Sequence, residues 1–303
     1  MFRIALAALA IMPVPLFAGT LTTVEVAPNT YAIEGPFGQR DAENLGNNAT
    51  FGLIVTDEGA VLIDAGGTYK GAAALDEVIG TLTDQPVKYV IDTGGQDHRW
   101  LGNGYWKEHG AEIITSEDAL ADQKARASLE LTMLDALVGQ EALAGTEPVY
   151  ADTTFDESYT LTLGGREIEI THPGPAHTPG DSFVWLPAEK VMFTGDIVFV
   201  GRILGVLDMS SSIGWVEAFE AMAAYEPAHV VPGHGPATDL ATATKDTYDY
   251  LTNLRSQMAD YIDDGGDIIG SVNVDQSQFE YLEDFDTLAK RNAQAVFSQM
   301  EWE

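Results

Sequence analysis

Cysteine is absent from the 303 residues. That excludes a disulfide framework and any thiolate-held ion, and leaves His, Asp and Glu as the side chains able to ligate a metal. Histidine is itself scarce, with six in all, so a search for a metal centre reduces to a handful of positions. Basic residues are also few: 15 Lys and Arg stand against 47 Asp and Glu, a formal charge of −32. Nucleic acid and anionic membrane surfaces repel such a chain, so neither is expected as a partner; a small-molecule substrate is, and oligomeric state is not legible. Disorder is disfavoured because 45% of the residues are hydrophobic and short apolar runs recur at regular intervals. No internal repeat of about 20 to 50 residues is visible, which removes solenoids and propellers.

Long apolar runs are lacking too, apart from the first. Residues 1–18 carry Arg3, then an apolar stretch interrupted by Pro13 and Pro15, and end in Leu16-Phe17-Ala18 before Gly19. A charged start, an apolar middle and a small-residue end are the parts of a secretory signal, and the run falls short of the ~20 residues of a spanning helix. The expectation is cleavage near Ala18, a periplasmic or secreted product, and no membrane attachment after cleavage.

What is present is a series of short β-branched runs separated by turn signals. FGLIVT (51–56), AVLID (60–64), VKYVI (87–91) and AEIIT (111–115) read as strands. After a helical stretch REIEIT (166–171), SFVWL (182–186), KVMFT (190–194) and AHVVP (228–232) resume the series. Residues 70–81 carry Leu75, Val78 and Ile79 at helical spacing, and 117–138 carry Leu120, Leu129, Leu131, Leu134 and Leu137 behind a capping Ser116. From about 240 the pattern turns helical, with Tyr248, Leu251, Leu254, Met258 and Ile262 stopped by Gly265-Gly266, and a second helix over about 288–300. The expected organisation is an α/β domain over 19–240 with a helical extension, 241–303, packed on it.

Four polar clusters follow strand-like runs: Asp97-His98, His177 in HPGPAHTPGDS, Gly195-Asp196, and Gly233-His234-Gly235. Side chains at the carboxyl ends of strands converge on one crevice in layered α/β folds. Two imidazoles with two carboxylates suit zinc, with iron or manganese as further possibilities. The bland alternative is a set of satisfied polar groups, the default for His109, His172 and His229. Gly66-Gly67 and Gly94-Gly95 lack the context of a phosphate-binding loop and read as turns.

With GPAHTPGDSFVWLP, FTGD and VPGHG in order and suitably separated, the chain from about residue 48 onward resembles the metallo-β-lactamase-fold hydrolase superfamily. LGNG (101–104) and NAQAVF (292–297) look most like its exported sulfur-oxidation and quinoprotein-relay branch. The resemblance implies a four-layer αββα sandwich and hydrolysis of an ester, thioester or related bond by metal-activated water. It also implies a first metal held by the two leading histidines of an H-x-H-x-D-H motif and a loop histidine. The motif's Asp and last His with a final His hold a second, and a further Asp bridges the two. Here the motif reads Thr93-Gly94-Gly95-Gln96-Asp97-His98, so both leading histidines are missing. His177 matches the loop histidine, Asp196 the bridging carboxylate, and Asp64 an aspartate that orients a ligand from behind.

The resulting expectation is one zinc per chain, on Asp97, His98, Asp196 and His234, with the first site empty and Asp97 or His177 moving the proton. Four protein ligands would close a tetrahedral zinc, which sits badly with catalysis. A catalytically retired metal- or ligand-binding relative is the alternative, and a β-lactamase a further one. Restoring histidine at 93 and 95 is expected to rebuild a second metal site.

Overall fold

A computed structural model describes residues 21–303; the signal-peptide reading concerns residues outside that range. Two sheets form. The first runs β1 (Thr22–Ala27), β2 (Thr30–Glu34), β3 (Thr50–Thr56), β4 (Gly59–Ile63), β5 (Val87–Asp92), β6 (Glu112–Ser116) and β7 (Thr153–Phe155) in that order. It is an antiparallel meander as far as β4 and parallel from β4 to β7. Helices α1 (Tyr69–Leu82), α2 (Asp97–Trp100), α3 (Asn103–Glu108) and α4 (Glu117–Leu143) lie along the parallel part of the chain path. The second sheet has the order β12-β11-β10-β9-β8, built from β8 (Ser158–Leu163), β9 (Arg166–Thr171), β10 (Phe183–Leu186), β11 (Val191–Phe193) and β12 (His229–Val231). The remaining helices are α5 (Ser212–Ala223), α6 (Leu240–Ala243), α7 (Asp249–Asp263) and α8 (Phe285–Met300).

The strand alternation explains the layering. In β4, Val61 and Ile63 point into an inter-sheet core with Ile91, Ile168, Ile170, Val184 and Phe193, while Leu62 between them faces the opposite way, onto Leu75, Ile79 and Trp106 of α1 and α3. The outer face of the second sheet is covered by Trp215 and Phe219 of α5, Tyr250, Leu251, Leu254 and Met258 of α7, and Val296 and Phe297 of α8. The order is therefore α-β-β-α, the expected fold class. The C-terminal helices are present and complete the last layer. Among the described residues no helix is long and apolar enough to cross a membrane.

One helix departs from its sequence reading. Ser116 caps α4 as expected, accepting from the Ala119 amide, but the leucine stripe is not its buried face: Leu129 and Leu137 are 58% and 40% exposed. The buried face carries Asp122, Gln123, Ala127, Glu130 and Leu134, and the helix is broken at Gly139, whose φ is 79°. The polar face is turned toward the loop that follows β5.

Candidate metal centre

Four connections leave the carboxyl ends of strands together. Asp64 follows β4, the turn 93–96 leads from β5 into α2, a short 3-10 turn Gly195–Ile197 follows β11, and residues 232–235 follow β12. They bring together His98, Asp196 and His234, whose ligand atoms all lie within 4.8 Å of one another. His98 Nε2 stands 3.2 Å from Asp196 Oδ2 and His234 Nε2 stands 3.2 Å from Asp196 Oδ1. Two ligands about 2.0–2.1 Å from a tetrahedral zinc stand roughly that far apart.

The donor set fits a metal on two further counts. His234 Nδ1 lies 3.0 Å from the Asn48 carbonyl; donating its proton there fixes the tautomer that leaves Nε2 a free lone pair. His98 Nδ1 lies 3.0 Å from Asp97 Oδ1 and 2.8 Å from Arg40 Nη2; the carboxylate–histidine arrangement that turns Nε2 toward an ion is the tautomer in which Nδ1 donates to Asp97 and the guanidinium donates to the carboxylate rather than to the ring. His98 Nε2 is buried and, although 3.2 Å from Asp196 Oδ2, is not aligned for a hydrogen bond with it and has no other partner, an orphan that a ligated ion would satisfy. Burial pushes the His234 pKa well below its ordinary value despite the pull of Asp196, keeping the ring neutral as a ligand must be.

Arg99, absent from the sequence reading, holds the carboxylate of this set. Its side chain is fully buried and all five N–H donors are used. Nε and Nη2 meet Asp196 Oδ2 and Oδ1 at 3.2 and 2.6 Å, Nη1 meets Asp64 Oδ2 at 2.6 Å, and the Thr50 and Gly233 carbonyls take the rest at 3.3 and 2.9 Å. A Cβ at Gly233 would stand 2.7 Å from Arg99 Nη2, so the glycine admits the guanidinium. Burial works to raise the Asp196 pKa, but the Arg99 charge, with His98 and His234, overrides it and holds the carboxyl well below the usual range. Asp64, which the resemblance implied would orient a ligand, is bonded to none of the three donors and reaches Asp196 only through Arg99. At φ 70° it accepts from the Thr93 amide and hydroxyl, each at 2.8 Å, as well as from Arg99.

The other expected site residues are placed differently. Asp97 does not join the three-donor cluster: its Oδ1 accepts from Arg40 Nη2 at 2.5 Å and from the His98 amide at 2.8 Å. Burial opposes its charge, yet Arg40 and His98 lower its pKa, which makes Asp97 a poor proton acceptor. His177 is also outside the cluster. Its Nε2 is hydrogen-bonded to Gln96 Oε1, its ring is packed by Trp215 and Phe199 at centroid distances of 5.1 and 5.7 Å, and burial lowers its pKa to about 4. Burial thus favours the neutral ring and makes it a weak base. Thr93 spends its hydroxyl on Asp64.

Arg40, Arg99 and Asn48 were missed by sequence reasoning. Arg99 adjoins the motif and could have been noticed as a cation two residues from Asp97; nothing in the sequence around Arg40 or Asn48 marks either.

Set beside known proteins, residues 46–234 match the family model described as the metallo-beta-lactamase superfamily. The chain is 27% identical over 209 residues to a metallo-beta-lactamase type 2 from Elizabethkingia meningoseptica, covering 67% of this chain and 75% of that one. Among solved structures, a metallo-beta-lactamase from Pontibacter korlensis superposes with a TM-score of 0.61 at 25% identity, over 77% of this chain and 99% of that one. The inverting sec-alkylsulfatase from Pseudomonas sp. superposes with a TM-score of 0.73 at 17% identity, over 92% of this chain and 50% of that one; at that identity the likeness is one of fold.

Proposed function

The chain belongs to the metallo-beta-lactamase superfamily, and from that premise we propose that it is an exported hydrolase of ester, thioester or related bonds, working with a single zinc held by His98, Asp196 and His234. The observation that carries the reading is the buried, unpartnered Nε2 of His98, converging with His234 Nε2 on the Asp196 carboxylate. Three protein ligands rather than four remove the difficulty of a closed site, because catalytic zincs keep a position open beside sets such as two histidines and a carboxylate. Iron shares that donor preference, and elemental analysis decides between them. In such a set the ion supplies the charge that lowers the pKa of a water toward ~7 and polarises the substrate.

The chain's own groups do the positioning. Asn48 and Asp97 orient the two imidazoles through their Nδ1 atoms, and Arg99 fixes both oxygens of Asp196. Arg40 and His98 lower the pKa of Asp97 and burial lowers that of His177, so both stand deprotonated and are weak proton acceptors. The retired-relative reading is favoured by one observation: the three donors are only 1–4% exposed, which suits a buried polar cluster as well as a working centre.

Turnover separates the two. The mature protein is expected to carry one zinc and to hydrolyse a member of a panel of esters, thioesters and a β-lactam, to lose that activity with a chelator, and to regain it with zinc. Hydrolysis that survives complete metal removal refutes the proposal.

A further inference from the structure

The missing histidines have not left a hole. Helix α4 carries Asp122, Arg126 and Glu130 at i, i+4 and i+8, one face of the helix, and that face is packed on the turn where the lost ligands would stand. Arg126 Nε donates to Asp122 Oδ1 at 2.6 Å, Nη1 to Glu130 Oε1 at 2.6 Å, and Nη2 to the Gly95 carbonyl at 3.0 Å as well as to Asp122 Oδ2. Gln123 Nε2 donates to the Gly94 carbonyl at 3.2 Å, and Trp100 Nε1 lies 3.1 Å from the Gly95 carbonyl and 3.2 Å from Glu130 Oε2. A Cβ built on Gly95 would fall 1.9 Å from Asp122 Oδ2 and 2.8 Å from its Cγ. Any side chain there must therefore evict a carboxylate that Arg126 clamps at both oxygens.

We propose that the Asp122–Arg126–Glu130 ladder is a built-in plug occupying the first-metal half of the centre, a guanidinium with its own two carboxylates standing where related proteins would place an ion. The inference rests on the one-metal reading above and deepens it: the centre is mononuclear because the first half is filled, not merely because two ligands are lacking. Three further groups are already engaged: the Thr93 hydroxyl by Asp64, His177 Nε2 by Gln96, and the Asp196 carboxylate by Arg99, which leaves His177 Nδ1 as the one ring nitrogen of that residue without a partner. A dication entering the first half would have to displace the Arg126 guanidinium, which cannot deprotonate, from the two carboxylates that hold it. Restoring histidine at 93 and 95 alone should consequently fail to rebuild the site, contrary to what the motif by itself suggests.

Zinc stoichiometry of the dialysed full chain tests this. The natural protein should hold one equivalent, the Thr93→His/Gly95→His variant still one, and the same variant with Asp122→Ala and Arg126→Ala two. A second equivalent bound by the double variant overturns the plug, as does a quadruple variant that keeps its first zinc and native circular dichroism yet gains no second. Zinc-free natural protein would instead strike the one-metal reading, and a thermal cycle then judges the plug alone. Gly95→Ala should lower the melting temperature in the natural background and do so markedly less with Asp122→Ala; equal losses in the two backgrounds overturn the proposal. The cycle also covers the case in which the histidine variants do not fold.

Discussion

The two halves of this centre occupy one crevice and have been finished in opposite ways. In the half built from His98, Asp196 and His234, polar atoms converge and one nitrogen is left without a partner. In the half beside Gly95 the groups around the turn are tied to one another, Thr93 on Asp64, His177 Nε2 on Gln96, Arg126 on Asp122, Glu130 and Gly95, and the two buried atoms without a partner, His177 Nδ1 and Gln123 Oε1, do not form a convergent donor set. Buried polar groups are nearly always satisfied, so an orphan inside a convergent set of metal-competent donors marks a place fitted to an ion, whereas a turn closed over by an ion-paired ladder marks a place already filled. Loss of a metal site thus shows in what replaced the ligands as much as in the ligands themselves.

The largest expected effect comes from breaking the group common to both sides of the argument. Arg99→Met leaves Asp64 and Asp196 buried without their cation, and removal of one partner from a buried ion pair typically costs about 3–5 kcal/mol. Denaturant unfolding of metal-free protein should show a loss of that size. Zinc, which supplies positive charge beside Asp196, should stabilise the variant more than it stabilises the natural protein. Equal stabilisation of the two would mean that the ion does not engage Asp196.

A second test reads the network that supports the filled half. Asp181, fully buried, accepts from the Thr178 amide at 2.7 Å and faces its hydroxyl; burial and the nearby Asp196 charge push its pKa up to about 8. The folded state therefore keeps a proton there that the unfolded chain, with an ordinary carboxyl, gives up near pH 4. The stabilising contribution is complete below pH 4 and is lost as pH rises toward 8, with a limiting slope of about 1.4 kcal/mol per pH unit for one proton. Asp181→Asn imitates the protonated form, so the variant should gain stability relative to the natural protein across pH 4–8 and hold a constant difference above it. A difference that stays flat over that window would place the ionised carboxylate in the folded state.

Most of the scaffold was legible because β-branched runs and turn residues act locally: the runs at 51–56, 60–64, 87–91 and 166–171 form strands within a residue of their sequence bounds. The C-terminal helices followed from apolar spacing for the same reason. Helix α4 shows where that logic stops. Its leucines suggested a single apolar buried face, yet Leu129 and Leu137 are exposed; Ala127, Leu134, Val138 and Ala142 pack with Trp100 and Leu101, and the same buried side carries Asp122, Gln123 and Glu130 where it meets a polar turn. The Asp122-Arg126-Glu130 spacing drew no attention in the sequence, and only tertiary contact with Gly95 gives the ladder its place. In the centre, the motif placed His98, Asp196 and His234 close together but could not say which way Asp97 turns, since that depends on Arg40, which is 57 residues away.

Asp97 supplies the finest test of the comparison, because the motif makes it a ligand and the structure makes it a support. Its Oδ1 meets the Arg40 guanidinium, the His98 amide and His98 Nδ1, and a carboxylate so engaged acts on the ion through the imidazole it orients. Asp97→Asn keeps the shape and an accepting oxygen but removes the charge, leaving Arg40 without its counter-ion. Loss of a group that supports a metal-binding histidine typically costs 10- to 100-fold in affinity, about 1.4–2.7 kcal/mol. Competition with a chromophoric chelator should return a zinc Kd weaker by that factor with the stoichiometry still one. His234→Ala, which removes a donor of the set, should abolish tight binding in the same assay. If Asp97→Asn abolishes binding as completely as His234→Ala does, the carboxylate turns to the ion when zinc is present and Asp97 belongs among the ligands. A loss confined to the smaller range, together with a His98 environment altered in the nuclear magnetic resonance of its ring protons, keeps it behind them.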